Sequence, residues 1–314
     1  MAVAQLVELA HDPEVTTNVL CRCIVATEAA LGEDVFHDRS TGKHSWSWGV
    51  LWTLLAGAGA RHGRVDVCRL CLERGSDPDA DTGSGHTALY YASVENCIDC
   101  AELLLDYGAK VDGLAFDVAS DSEEMDAAST SSTPLHVACR YGNDGMVRRL
   151  LSAGARVDPT EEDGSTPLHT AAQSGGSLEC VRTLLDYGAD VNSVRQRDGM
   201  TPLHIASSHG MTRCVEILLS AGASLSLAVP SAIGSQPLHL ACAAKRRTVA
   251  LRPLEYGADP AATRDDGVTP AVAAGMPSSG GIPDVALAGG LETAQHDRNE
   301  AIVQLREAVW GISY

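Results

Sequence analysis

The chain has 314 residues, of which 45% are hydrophobic and 4% aromatic, and its formal net charge is −18. That charge repels a phosphate backbone, so nucleic-acid binding is not expected, and no apolar run reaches the roughly 18 residues a membrane helix needs. Ten cysteines are too sparse for a disulfide scaffold, and Met1 to Ala10 lack a basic segment followed by a long apolar one, so reduced thiols in a cytoplasmic or nuclear protein are expected.

In chain order, Gln5 to Ala10 and Val15 to Leu31 read as helices, which makes residues 1–49 a helical N-terminal cap. A Ser-rich loop then brings Trp46, Trp48 and Trp52 close together. These rings either pack the cap onto the neighbouring helices or form an exposed binding patch. Residues 50–86 hold a degenerate helix pair: a first helix around Leu54 to Ala60, and a second carrying Val65, Val67, Leu70 and Leu72, with glycines at Gly63 and Gly75.

From Thr87 onward the chain repeats itself. Thr133-Pro134-Leu135-His136 recurs as Thr166-Pro167-Leu168-His169, Thr201-Pro202-Leu203-His204 and Gln236-Pro237-Leu238-His239. Thr87-Ala88-Leu89-Tyr90 is a weaker copy upstream, and Thr269-Pro270-Ala271-Val272 opens another downstream. The spacings are 46, 33, 35, 35 and 33 residues, and a second anchor, at Gly108, Gly154, Gly188, Gly222 and Gly257, keeps phase with the first. The local chemistry explains the pattern. Thr caps free backbone N–H groups at a helix start, and Pro behind it has a preset φ and no N–H to leave unsatisfied. Leu168 and Ala171 share a face of the first helix, and Val181, Leu184 and Leu185 a face of the second. Gly188 then stops the second helix in a left-handed conformation. Asp163-Gly164, Asp198-Gly199 and Asp266-Gly267 supply turns.

These residues resemble the ankyrin repeat, and Asp163 to Asn192 nearly spells the family pattern, with one extra residue near Gly175-Gly176. The resemblance is good over about 87–275 and poor over about 50–86. It implies an all-α fold: a solenoid of stacked helix-turn-helix units with β-turn fingers, about six units over residues 50–275. By count alone, His136, His169, His204 and His239 look like ligands or bases. The resemblance gives them a structural role instead, in a hydrogen-bond network with the motif Thr that links neighbouring repeats.

Three features interrupt the array. Asp117 to Ser132 carries five acids and no base, a composition that builds no core. It reads as a solvated variable loop, or as a segment that meets a basic partner or accepts phosphate. Pro253 stands where Leu218 and Leu150 stand in other units, which predicts local weakness. Residues 276–314 read as a Gly-, Pro- and Ser-rich loop and a C-terminal capping helix, with Ile302, Leu305 and Val309 on one face.

Cys68/Cys71 and Cys97/Cys100 have the spacing of a four-Cys zinc site. The repeat register argues against one. Cys100, Cys180 and Cys214 share one core position, Cys139 and Cys242 share another, and a buried Cys acts as a small hydrophobe. No phosphate-binding loop, nucleophile elbow or zinc-protease helix occurs. No catalytic, cofactor or metal residue is assigned, and the chain is expected not to be an enzyme.

The resemblance implies that a partner protein meets the fingers and the exposed face of the first helices. The finger candidates are Glu161, Glu162, Arg195, Gln196 and Arg197; the first-helix candidates are Arg140, Tyr141, Gln173, Ser174, Ser208 and His209. Each can equally be an ordinary surface residue. Tyr141 and Arg140 belong to the types enriched in binding hot spots. The acidic charge suits a partner with a basic surface, and a monomer is expected. One function class is an interaction scaffold or adaptor. Another is a substrate receptor for a ubiquitin ligase, because the irregular repeats, inserted loops and Leu178-Glu179-Cys180 resemble ankyrin and SOCS-box proteins. The sequence ends AIVQLREAVWGISY and shows no Leu-Pro-Leu-Pro element of a SOCS box. A host-directed or signalling inhibitor would use the same surface as a scaffold.

Overall fold

The computed structural model describes residues 48–81, 86–113, 132–175, 177–229 and 234–275, together with isolated positions before residue 47 and Val303. The acidic segment, most of the N-terminal cap and the C-terminal capping helix lie outside the described residues. The fold is all-α. Thirteen helices are described: α1 Trp48–Arg61, α2 Val65–Glu73, α3 Ala88–Val94, α4 Ile98–Asp106, α5 Pro134–Tyr141, α6 Asp144–Ser152, α7 Pro167–Ser174, α8 Leu178–Asp186, α9 Pro202–His209, α10 Thr212–Ser220, α11 Pro237–Ala243, α12 Arg247–Glu255 and α13 Pro270–Ala273. A two-residue antiparallel ladder, β1 Phe36–His37 with β2 Ser45–Trp46, precedes them. The sequence pattern predicts no strand there.

The chain divides into two compact units, residues 1–162 and 163–314. In the first, α1 packs on α2, α3 on α4 and α5 on α6; the first helices α1, α3 and α5 stack in one layer and the second helices α2, α4 and α6 in another. The second unit repeats the scheme, with α7, α9, α11 and α13 in one layer and α8, α10 and α12 in the other. The apolar positions explain the layering. In α6, Met146, Val147, Leu150 and Leu151 are buried; in α10, Cys214, Val215, Ile217, Leu218 and Leu219 are. Each fully buried Leu contributes about 1.5–3 kcal/mol. A nine-residue helix is too short to be stable alone, so packing holds it. In α8 the inward face is Cys180, Val181, Thr183 and Leu184, with Leu185 at its margin. In α2 it is Val67, Cys68, Cys71 and Leu72, with Val65 and Leu70 only partly covered.

Trp52 lies inside, 4% exposed, in a cluster with Leu51, Leu55, Ala56, Val67 and Cys71. Leu9, Val15 and Cys23 of the N-terminal segment pack against that cluster. The side chains of Trp46 and Trp48 lie outside the described residues.

The motif explains each first-helix start. Thr133, Thr166 and Thr201 are N-caps in extended conformation, with Pro next and His completing a reciprocal capping box. At the other end of each unit the chain reverses through a left-handed glycine. Gly154 has φ 92°, its N–H donates to Leu151 O at 3.0 Å, and Ala155 N–H donates to Leu150 O at 3.1 Å. This pairing satisfies the last carbonyls of α6.

The motif histidines are structural. Thr166 N–H donates to His169 Nδ1 at 3.2 Å, which leaves Nε2–H to donate to Met200 O at 3.0 Å. His204 likewise accepts from Thr201 N–H and donates to Leu227 O at 3.0 Å. His239 accepts from Gln236 N–H and reaches Ala262 O and Val268 O, both at 3.1 Å. Each ring ties its own helix start to the next finger along the chain. Burial holds His169 and His204 down at about 4 and lowers His239 as well, so all three are neutral at pH 7. The core cysteines behave as small apolar groups: burial pushes the Cys214 and Cys242 thiols up to about 12.

Candidate protein-binding surface

In the first unit, α3 and α5 carry an aromatic and cationic patch that runs from buried Tyr91 through half-buried Tyr90 and His86 to exposed Tyr141. Tyr90 occupies the register of the motif His in the weaker copy that opens at Thr87. Its ring stacks on His86 with centroids 3.9 Å apart and planes 11° apart, and meets Tyr91 edge-on at 5.7 Å. The Arg61 guanidinium lies 4.6 Å from the Tyr91 centroid, within cation–π range. Burial raises Tyr90 above the usual phenol value, and Arg140 acts against that rise, which places the Arg140 charge within reach of the patch. Tyr141, the last residue of α5, is 61% exposed.

Arg140 is not a loose cation. Its Nη2 donates to Glu161 Oε1 at 2.7 Å and to Ser132 Oγ at 3.3 Å, and the Ser132 hydroxyl also donates to Glu161. Glu161 is only 12% exposed along its side chain. It therefore orients Arg140 rather than presenting a free carboxylate, while Glu162 is exposed. A planar guanidinium fixed this way meets a partner with less ordering still to be done.

In the second unit, Gln173 and Ser174 are exposed at the end of α7. Ser208 and His209 end α9, and both spend a donor on one carbonyl: Ser208 Oγ and His209 Nδ1 each reach Ile205 O at 2.9 Å. His209 is exposed and Ser208 half-buried. The finger after α8 is internally braced. Arg195 donates through Nε and Nη2 to the two oxygens of Asp198 at 3.0 and 2.5 Å, and its side chain is 12% exposed. Asp198 Oδ1 also accepts from Met200 N–H at 3.0 Å. Burial is the largest single influence on Asp198 and works against its ionisation, but the Arg195 and Met200 hydrogen bonds together with the Arg195 and Arg197 charges lower its value. Arg264 and Asp266 build a similar brace two fingers on, after α12, at 3.1 and 2.5 Å.

The brace leaves Gln196 and Arg197 exposed at the finger tip. Arg197 N–H donates to Asp163 O at 3.0 Å, tying successive fingers together. Gly164 makes that approach possible: a Cβ there would lie 2.5 Å from Gln196 N. The sequence pattern puts Arg195 among the contact residues but gives no sign of its brace. It gives no place to Tyr90, His86 and Arg61, for which the only signal is a Tyr-Tyr pair in the weakest motif copy.

Among the described residues no group of three or more His, Cys, Asp or Glu is placed to hold a metal ion. No helix described is long and apolar enough to cross a membrane.

Comparison with known proteins agrees with the repeat fold. The family profile described as ankyrin repeats (3 copies) matches residues 36–115, 116–195 and 189–264. The chain is 31% identical over 165 residues, 52% of its length, to ankyrin repeat protein nuc-2 of Neurospora crassa. It is 30% identical over 222 residues, 59% of its length, to the E3 ubiquitin-protein ligase KEG of Arabidopsis thaliana. It is 32% identical over 211 residues, 63% of its length, to human ankyrin repeat and SOCS box protein 16. These matches cover 14%, 13% and 43% of the three relatives, so the chain spans less than half of each.

Proposed function

The chain belongs to the ankyrin-repeat family, whose repeats are protein–protein interaction modules, and from that premise we propose that it is a non-enzymatic scaffold or adaptor holding a partner protein on its first-helix faces and fingers. The observation that carries this reading is the patch on α3 and α5: Tyr141 61% exposed beside an Arg140 that Glu161 and Ser132 hold in place. Interface energy concentrates in such preorganised Tyr and Arg side chains. The net charge of −18 favours a partner with a basic surface over a nucleic acid. The free thiols, most of them buried, suit a cytoplasmic or nuclear protein, and we take it to act as a monomer. Affinity purification with mass spectrometry tests the proposal: Arg140→Ala/Tyr141→Ala is expected to lose partners that the wild type recovers. An unchanged partner list sets this surface aside.

A second reading rests on the relatives. Two of them carry ubiquitin-ligase or SOCS-box names, which supports a substrate-recognition role in a ubiquitin ligase. The same purification separates the readings, because a receptor brings down a ligase adaptor that persists in the double variant, whereas a scaffold does not.

A further inference from the structure

The layer of second helices in the unit 163–314 has a groove of its own, about 420 Å³ in volume, between α8 and α10. Its apolar lining is half-buried Leu178, the first residue of α8, over a floor at Ile217, only 7% exposed, with the Tyr256 ring, 49% exposed at the end of α12, forming a wall. Arg182, one turn along α8 from Leu178, and Arg213, in the first turn of α10, also line it. Both arginines are exposed. Neither has an ion-pair or hydrogen-bond partner among the described residues. The groove's carboxylate, Glu216, is already engaged: its Oε1 lies 2.6 Å from Arg252 Nε, and Arg252 also holds Glu255 at 2.7 Å. Glu179 and Asp186 flank Arg182 one turn away on α8 and close no pair with it.

In a protein of net charge −18, Arg140, Arg149, Arg156, Arg195 and Arg264 each pair with a carboxylate, whereas Arg182 and Arg213 face the same groove without one among the described residues. Two guanidiniums left unneutralised over an apolar surface are complementary to a ligand with carboxylates at its edge and a hydrophobic side chain at its centre. A free anion would leave half-buried Leu178 and the exposed Tyr256 ring without an apolar contact, which a peptide carrying both carboxylates and an apolar side chain supplies.

We infer that this groove is a second docking site, distinct from the first-helix patch, and that it takes an acidic peptide segment of a partner protein. The peptide's carboxylates sit between Arg182 and Arg213, and its apolar side chain rests on Ile217 against Tyr256.

The test is fluorescence anisotropy on the full chain with the fluorescein-labelled peptide GEELEEFG, with GKKLKKFG as control, at about 50 mM salt, where charge attraction is weakly screened. The acidic peptide is expected to bind, whereas any binding of the basic peptide to the chain's acidic surface is expected not to weaken when Arg182 and Arg213 are replaced. Arg182→Glu/Arg213→Glu is expected to weaken binding by about tenfold or more, the size of losing two charge-assisted contacts. Arg213→Gln, a milder change at an exposed position, is expected to weaken it with the circular dichroism spectrum unchanged. Arg140→Ala/Tyr141→Ala is expected to bind the peptide like the wild type, which keeps this site separate from the proposed function. Absence of binding at about 1 mM peptide, where charge-driven contact of even modest affinity registers, overturns the inference. So does equal binding of the acidic peptide by the Arg182/Arg213 variant. Capture of only a phosphoserine version of the peptide would make this a phosphate site and overturn it as well.

Discussion

A motif histidine in this chain is locked into one tautomer from both sides, and the lock has a pH signature. Nδ1 accepts a backbone N–H and Nε2–H donates to a carbonyl, so a second proton would displace the first of these bonds. The folded value for His169 and His204 is about 4, below the usual 6.5. The unfolded chain therefore binds protons first as pH falls. Stability from these residues is complete above about pH 6.5 and declines between 6.5 and about 4, by at most about 3 kcal/mol for each ring. Urea unfolding at pH 7.5 and pH 4.5 checks this. His204→Gln is expected to destabilise the protein at pH 7.5 and to shrink the loss on acidification; a loss of unchanged size would refute the assignment. At the same scale, Lys245 has φ 54°, at the position where Gly142, Gly175 and Gly210 end the first helices of other units. A side chain there is strained, so Lys245→Gly is expected to stabilise by about 1 kcal/mol, read as a higher urea midpoint.

At the scale of the element, α12 is the test case. It runs unbroken from Arg247 to Glu255 with Pro253 inside it, and Pro253 is buried. The Pro removes one helix hydrogen bond and fills the place of a Leu, yet its carbonyl still accepts the closing bond from Ala258 N–H at 2.8 Å. The helix persists because its neighbours hold it, as solenoid helices are held. Pro253→Leu is expected to restore the bond and the apolar volume, stabilising by about 2 kcal/mol and raising Tm. An unchanged Tm would mean that the surroundings have already relaxed around the ring. The helix starts were legible in the sequence because a Thr cap, a Pro and a His act within four residues of one another. The α2 face was less so, because Cys68 and Cys71 are apolar only once buried. The patch was illegible for another reason: Tyr90, Arg61 and Arg140 come from three repeats, and only packing brings them near one another.

For the molecule as a whole, stability within each unit is a chain of neighbour contacts, with no single core to melt at once. In the unit 163–314, α9 has neighbours on both sides of its layer, whereas α13 has four residues and packs on α11. Hydrogen exchange is expected to be slowest in α9 and α11 and fastest in α13; uniform protection across these helices would contradict nearest-neighbour stabilisation. The charge of −18 was legible from composition, but its uneven spread was not. Arg182 and Arg213 stand a repeat apart in sequence and face one groove only because α8 and α10 stack.

The Arg195–Asp198 brace separates two jobs within six residues. Its ring of bonds sets the course of the backbone and leaves the two side chains at the tip, Gln196 and Arg197, exposed. The tip is thereby freer to vary over generations than the Arg and Asp beneath it, while the architecture stays the same.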